Sequence, residues 1–187
     1  MSVSRSRSWV LPALIASLSL ASGAGATTVD LAGATIADID AAFDKGTLTS
    51  EKLVKMYLRR IAAYDKQGPA INAVITLNPK ALETARALDK ERKAKGPRSP
   101  LHGIPVILKD NYNTFDLPTT AGSQLLAGSV PAEDAYVVKK LRDAGAVIVA
   151  KVNLSEFAGS GGSVSGATDP EVLKAGAVPN GDRKSVV

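Results

Sequence analysis

Cysteine is absent from this chain, and histidine and tryptophan occur once each. Without a thiol there is no cysteine nucleophile and no thiolate metal site. The missing cysteines leave export open, because an exported domain of ordinary size does not need disulfides. Aromatic residues make up only 4% and lie scattered, with no basic stripe among them, which removes the main support for a nucleic-acid-binding module. Long apolar runs are missing too. The longest near the N-terminus, Trp9 to Ala21, falls short of the ~20 residues a membrane span needs. What the chain does have is 187 residues with 45% hydrophobic content, enough for one compact core and too little for several domains.

The two ends account for most of its charge. Arg5 and Arg7, the short apolar run and the closing Ala24-Gly25-Ala26 together make a secretory signal over 1–26, with a mature start expected at Thr27. At the other end "DRKSVV" has neither apolar period nor capping logic. In one reading frame it is encoded by GATCGGAAGAGCGTCGTG, a common sequencing-adapter stretch, so 182–187 is expected to be a non-native tail. The domain would then be 27–181, the N-terminal part of something longer. Setting aside Arg5, Arg7, Arg183, Lys184 and Asp182 lowers Lys+Arg from 23 to 19 and Asp+Glu from 18 to 17, so the net charge falls from +5 to +2. The basic character that would suggest nucleic acid or an anionic membrane nearly vanishes.

Between the ends, helical and strand patterns alternate. Thr35 with Asp38 has capping-box spacing, and Gly46 marks the stop. Thr49 opens a longer helix with Leu53, Tyr57, Ile61 and Tyr64 on one face, closed by Gly68-Pro69. "AVITLN" reads as a strand. Asn78-Pro79 supplies an N-cap and first-turn proline for a third helix, with Leu82, Ala85 and Leu88 inward and Glu91 facing Lys95 outside. After the loop "GPRSPLHGIP" comes a strand, Val106 to Leu108. A helix from Pro131 to Ala144 follows, with Val137, Val138 and Leu141 inward and Gly145 at its C-terminal cap. "AVIVAKVN" then reads as a strand buried on both faces. Strand, helix, strand in this order is a βαβ unit, and the class is α/β.

The run Val106-Ile107-Leu108 leads straight into Lys109-Asp110. Taken alone, Lys109 reads as a strand-end lysine that snorkels to water. It could serve as a base only if burial held its amine neutral near pH 7. Alternation along a strand points Asp110 to the opposite face.

Four ordered blocks, "LHGIPVILKDN", "TTAGS", "DAYVVKKLRDAGAVIVAKVNLSEFA" and "SGATDPEVLKAGAVPNG", resemble the amidase signature family, and within it exported bacterial amidases related to peptide amidase. The resemblance covers Thr35 to Gly181. It implies an α/β/α fold around a mixed, mostly buried sheet, and hydrolysis of carboxylic or C-terminal peptide amides by a Ser, cis-Ser, Lys triad without cofactor or metal. Lys109 falls on the catalytic lysine, which the strand would deliver into a dry site. Thr119, Thr120 and Ser123, within "TTAGS", would line its neighbourhood and touch substrate; a plain polar turn is the alternative.

The serines of the triad are expected downstream of Gly181. A sheet cut off there would leave its last strand, near Val147 to Val152, as an exposed apolar edge. The cluster "GSGGSVSG", with Ser160, Ser163 and Ser165, abuts Phe157-Ala158 too closely to be the family's Gly/Ser signature and reads as a loop. His102 could serve a Ser-His-Asp triad, but no G-x-S-x-G elbow accompanies it, so it reads as structural. Asp110 and Asp134 lack metal-ligand spacing. The expected protein is a periplasmic or secreted amidase acting on a small-molecule or peptide amide, with no nucleic-acid partner and no stable membrane anchor once the signal is cleaved. This chain is expected to stop before both serines and to be inactive. The alternatives are a non-catalytic fragment or binding module, and a cytoplasmic component of a glutaminyl amidotransferase, against which the signal counts.

Overall fold

A computed structural model describes residues 30–158. The expected signal, the cluster with Ser160, Ser163 and Ser165, and the C-terminal tail lie outside the described residues.

Two helices open the fold. In α1 (Ile36–Asp44) the Thr35 side chain accepts from the Asp38 N–H while the Asp38 carboxylate accepts from the Thr35 N–H, so the capping box forms as its spacing predicts. Helix α2 (Ser50–Tyr64) starts at Thr49, whose hydroxyl accepts from Lys52 N. Leu53 and Val54 are fully buried, whereas Tyr64, expected inward, is 47% exposed at the last turn.

Asn78, expected as the N-cap of the third helix with Pro79 in its first turn, instead holds the turn before it, and the N-cap is Lys80 with no side-chain cap bond. Asn78 Oδ1 accepts from Lys80 N at 2.9 Å, and its Nδ2 donates to Ile148 O at 2.8 Å. The side chain thus fastens the turn after β1 (Val74–Leu77) to the neighbouring strand, and α3 (Ala81–Lys95) begins after Lys80. Ala81, Ala85 and Leu88 face inward. Glu91 is drawn away from Lys95 by Arg98, whose guanidinium meets both carboxylate oxygens at 2.6 Å.

Strand β2 (Pro105–Lys109) and β3 (Val147–Val152) pair in parallel, with α4 (Tyr136–Asp143) crossing between them; β1 adds to β3 antiparallel, giving the order β1-β3-β2. The class is α/β with a mixed sheet, as the sequence predicts. Helix α4 begins five residues later than expected. Asp134 is held back as a loop residue, accepting from Phe115 N at 3.1 Å and facing Arg142 Nε at 2.9 Å. The late start leaves Val137 44% exposed while Val138 is fully buried.

Helices pack on both faces of the central strand β3. Val54, Ala81, Ala85 and Leu88 of α2 and α3 pack on Val147 and Val149; Val138 of α4 packs on Leu108 and Ile148 from the other side, with Leu117 from the intervening loop. Burying side chains of this size is worth about 1.5–3 kcal/mol each, so strand β3, buried along nearly its whole length, is the centre of the fold. A third cluster of Ile39, Phe43, Leu48, Leu53 and Ile104 seats α1.

One irregularity decides which side chains reach which face. Consecutive Val106 and Ile107 pair with Ile148 and Ala150, so Val149 is an extra residue on β3. The bulge reverses the alternation beyond it. Leu108 and Lys151 consequently share the α4 face, and Lys109 and Val152 share the other.

Candidate active site

The two parallel strands end side by side at Lys109 and Val152, and ligands of open α/β sheets gather at such carboxyl ends. Here two turns close over the strand ends. Residues 110–123 turn back so that Ala121 N donates to Asp110 O at 3.0 Å, and Phe157 N after β3 donates to Ala121 O at 2.8 Å. Ala121, Phe157 and Ala158 all hold left-handed φ of 49–56°. Gly122, at φ 73°, is required by contact as well: a Cβ there would sit 3.0 Å from Leu154 O.

Lys109 is the exposed last residue of β2, not the occupant of a dry site. Its backbone is firmly held: the Asp110 N–H donates to Val152 O at 2.9 Å, and Lys109 O accepts from Tyr112 N at 3.1 Å. The amine has no hydrogen-bond or ion-pair partner among the described residues. Among the described residues no helix covers the end of β2 on the face Lys109 shares with Ile107, which is 55% exposed. Next to it lies a groove of about 380 Å³, lined by Tyr57, Ile61, Ile71, Ile107, Val149 and Val152.

The dry lysine is Lys151, which sequence reasoning passed over inside an apolar strand. The bulge turns it under the loop after β2, where it is fully buried. Its ammonium donates to Thr119 Oγ1 at 2.8 Å and to Pro118 O at 3.2 Å, and lies 2.9 Å from Asp110 Oδ1 as an obliquely aligned ion pair. Burial lowers its pKa below the ordinary lysine value, opposed by the adjacent Asp110 carboxylate and more weakly by Asp116. The signal was there to read: one charged residue in the run Val147 to Val152. As alternation predicts, Asp110 points away from Lys109, and its other oxygen accepts from Thr120 N at 2.9 Å and Thr120 Oγ1 at 2.5 Å.

Thr119, Thr120 and Ser123 are buried, and the structure joins the first two to Lys151 and Asp110, not to the Lys109 amine. Ser123 Oγ accepts from Leu125 N at 3.4 Å at the start of a 3-10 turn. His102 is likewise buried: Arg98 N donates to Nδ1 at 3.2 Å, which leaves Nε2 to donate to Leu88 O at 2.9 Å. This fixes the neutral tautomer and ties the loop before β2 to α3. Among the described residues no group of three or more His, Cys, Asp or Glu side chains could hold a metal ion.

Comparison with known proteins agrees with this architecture. The sequence profile of the family described as Amidase matches residues 52–175. A probable amidase of Arabidopsis thaliana is 50% identical over 135 residues, covering 71% of this chain and 26% of that protein. One component of the glutamyl-tRNA(Gln) amidotransferase of Acidothermus cellulolyticus is 41% identical over 130 residues, 69% of this chain and 25% of the relative. Among solved structures, native peptide amidase from Stenotrophomonas maltophilia superposes with a TM-score of 0.68 at 50% identity, over 72% of this chain and 28% of that one. The chain therefore spans about a quarter of the length of the relatives it matches. With its profile match and its fold in agreement, the chain belongs to the amidase family.

Proposed function

We propose that this chain carries the base of an amide hydrolase. In this reading Lys109 takes the proton of a serine hydroxyl and passes it, through a second serine held by a cis peptide, to the nitrogen leaving a carboxylic amide or a C-terminal peptide amide. The serine oxygen bonds the carbonyl carbon, the C–N bond breaks, and water later frees the acid. The observation that carries the reading is the placement of Lys109: at the carboxyl end of a parallel strand, on an open face beside an apolar groove, with its acidic neighbour turned away. Water-excluding cover for the amine would have to come from residues outside 30–158.

The nucleophile is also assigned outside the described residues. Thr119 and Thr120 use their hydroxyls in the buried network, and Ser123 is fully buried. Their part in substrate binding is read as indirect, as braces of the loop over the strand ends. On this reading residues 27–187 alone release no ammonia from an amide, and the activity belongs to a longer chain that includes the serines. Export to the periplasm or the medium is supported by the sequence of 1–26 alone.

The reading is tested by assaying ammonia release from one carboxylic amide and one C-terminal peptide amide, with a chelator present. The longer reading frame should turn over at least one of them, and residues 27–187 neither. Turnover by 27–187, or none by the longer chain on any amide, would refute it. A second reading, a component of a glutamyl-tRNA amidotransferase, has the 41% identity behind it. It predicts ammonia release from glutamine with transfer to charged tRNA and a cytoplasmic product.

A further inference from the structure

We propose that Lys151 is a positioning residue for Lys109, acting through Asp110 on the peptide that joins Lys109 to it. The inference rests on the reading of Lys109 as the base.

Four observations converge on that peptide. Asp110 is held from three directions, by the Lys151 ammonium at 2.9 Å, by the Thr120 hydroxyl at 2.5 Å and by the Thr120 N–H at 2.9 Å. Its backbone N–H is bonded to Val152 and its carbonyl to Ala121, so neither the residue nor the peptide before it can rotate without breaking several bonds. Lys151 in turn is fixed by Thr119 Oγ1 and Pro118 O, which belong to the same loop. Finally, the bulge at Val149 is what brings Lys151 to this face; in a regular strand it would share the face of Val147 and Val149.

A buried lysine is a poor device for stability alone, because the desolvation of two charges offsets most of their attraction and an apolar pair would often serve as well. It is a good device for direction. The pair clamps the last peptide of β2 from beneath the sheet, so the long Lys109 side chain starts from one fixed Cα–Cβ vector on the opposite face. A base misplaced by about 1 Å can lose about 100-fold in rate.

The experiment uses the full-length enzyme with Lys109→Ala, Lys151→Met, Thr120→Val and Thr120→Ser, all assayed on one amide well below their melting temperatures, with backbone amide exchange followed in each. In Lys151→Met we expect kcat per folded molecule to fall about 100-fold with KM changed less than about threefold. Exchange at Asp110 and Ala121 should quicken at least about tenfold while Val147 to Val149 stay protected. Thr120→Val keeps the charge pair and serves if Lys151→Met does not fold; it should show the same pattern more weakly, and Thr120→Ser should restore it. An inactive Lys109→Ala beside a fully active Lys151→Met or Thr120→Val overturns this proposal alone, as does unchanged exchange at Asp110. An active Lys109→Ala overturns the base assignment and the positioning role with it.

Discussion

At the scale of single residues, Lys109 follows the strand-end reading of its own neighbours and departs from the dry site that the family resemblance implies, while the dry lysine is Lys151, in the strand read as buried on both faces. The run before Lys109 is apolar, yet alternation along β2 puts Ile107 and Lys109 on the uncovered face, and no local pattern encodes what covers a face. The lone charge in the run Val147 to Val152 marks Lys151 in the sequence, but the face it takes was not legible, because a bulge cannot be read from apolar residues alone; with regular alternation it would lie elsewhere. By contrast, Asp110 turning from Lys109 and the Thr35–Asp38 box were legible from neighbours in sequence, and His102 as a structural residue from the missing G-x-S-x-G elbow, though not its bond to Leu88. Replacing Lys151 by Met leaves the Asp110 carboxylate buried without its cation, and we expect a loss of about 3–5 kcal/mol in urea unfolding at pH 7. The pH dependence has a defined sign. The folded pKa of Lys151 lies below its unfolded value of about 10.4, so the unfolded chain binds more protons between the two and stability rises with pH across that window. Below the folded value the cost of burying the ammonium is present in full. The stability gap between wild type and Lys151→Met should therefore widen as pH climbs toward ~10, and a gap that narrows would contradict the burial assigned to Lys151. Ala121, at φ 50°, gives a further test: glycine relieves the left-handed strain, and Ala121→Gly should raise stability by about 0.5–1 kcal/mol despite its greater chain entropy.

At the scale of elements, helices and strands were legible in kind and less so at their starts. The third and fourth helices begin later than expected, and in each a residue the sequence places at or inside the start spends its side chain on a tertiary partner: Asn78 on Ile148 and Asp134 on Arg142. The larger correction concerns β3. The sequence suggests that this last apolar strand would be an unpaired edge of the sheet. It lies instead in the centre, paired on both sides, and among the described residues the edges are β1 and β2. The exposed apolar edge is accordingly that of β2, where Ile107 faces water beside the groove. Open edges of this kind pair with other chains. We expect residues 27–187, expressed alone, to be largely self-associated, and Ile107→Glu to raise the soluble monomer fraction seen by size-exclusion chromatography. A wild-type fragment that is monomeric and melts cooperatively would show that the edge is not a liability.

For the whole molecule, the family was legible because four blocks occur in order, and the matched profile and the peptide amidase fold agree with it. The site is legible only in part, since the described residues bring together the proposed base, its proposed anchor and the loop around both, and give the Lys109 amine no hydrogen-bonded hydroxyl. Processing is checked by mass spectrometry of the exported protein, which should begin at Thr27; an intact Met1 in the periplasmic fraction would count against the signal. The central claim, that Lys109 is the base of amide hydrolysis, is met most directly by the steady-state rate of the full-length enzyme and its Lys109→Ala variant on a single amide. Deleting a general base costs about 100-fold to 10,000-fold, so kcat should fall by at least that lower figure while the melting temperature stays within a few degrees, because Lys109 belongs to none of the three apolar core clusters. A Lys109→Ala enzyme that keeps turnover within about threefold of wild type would contradict the account.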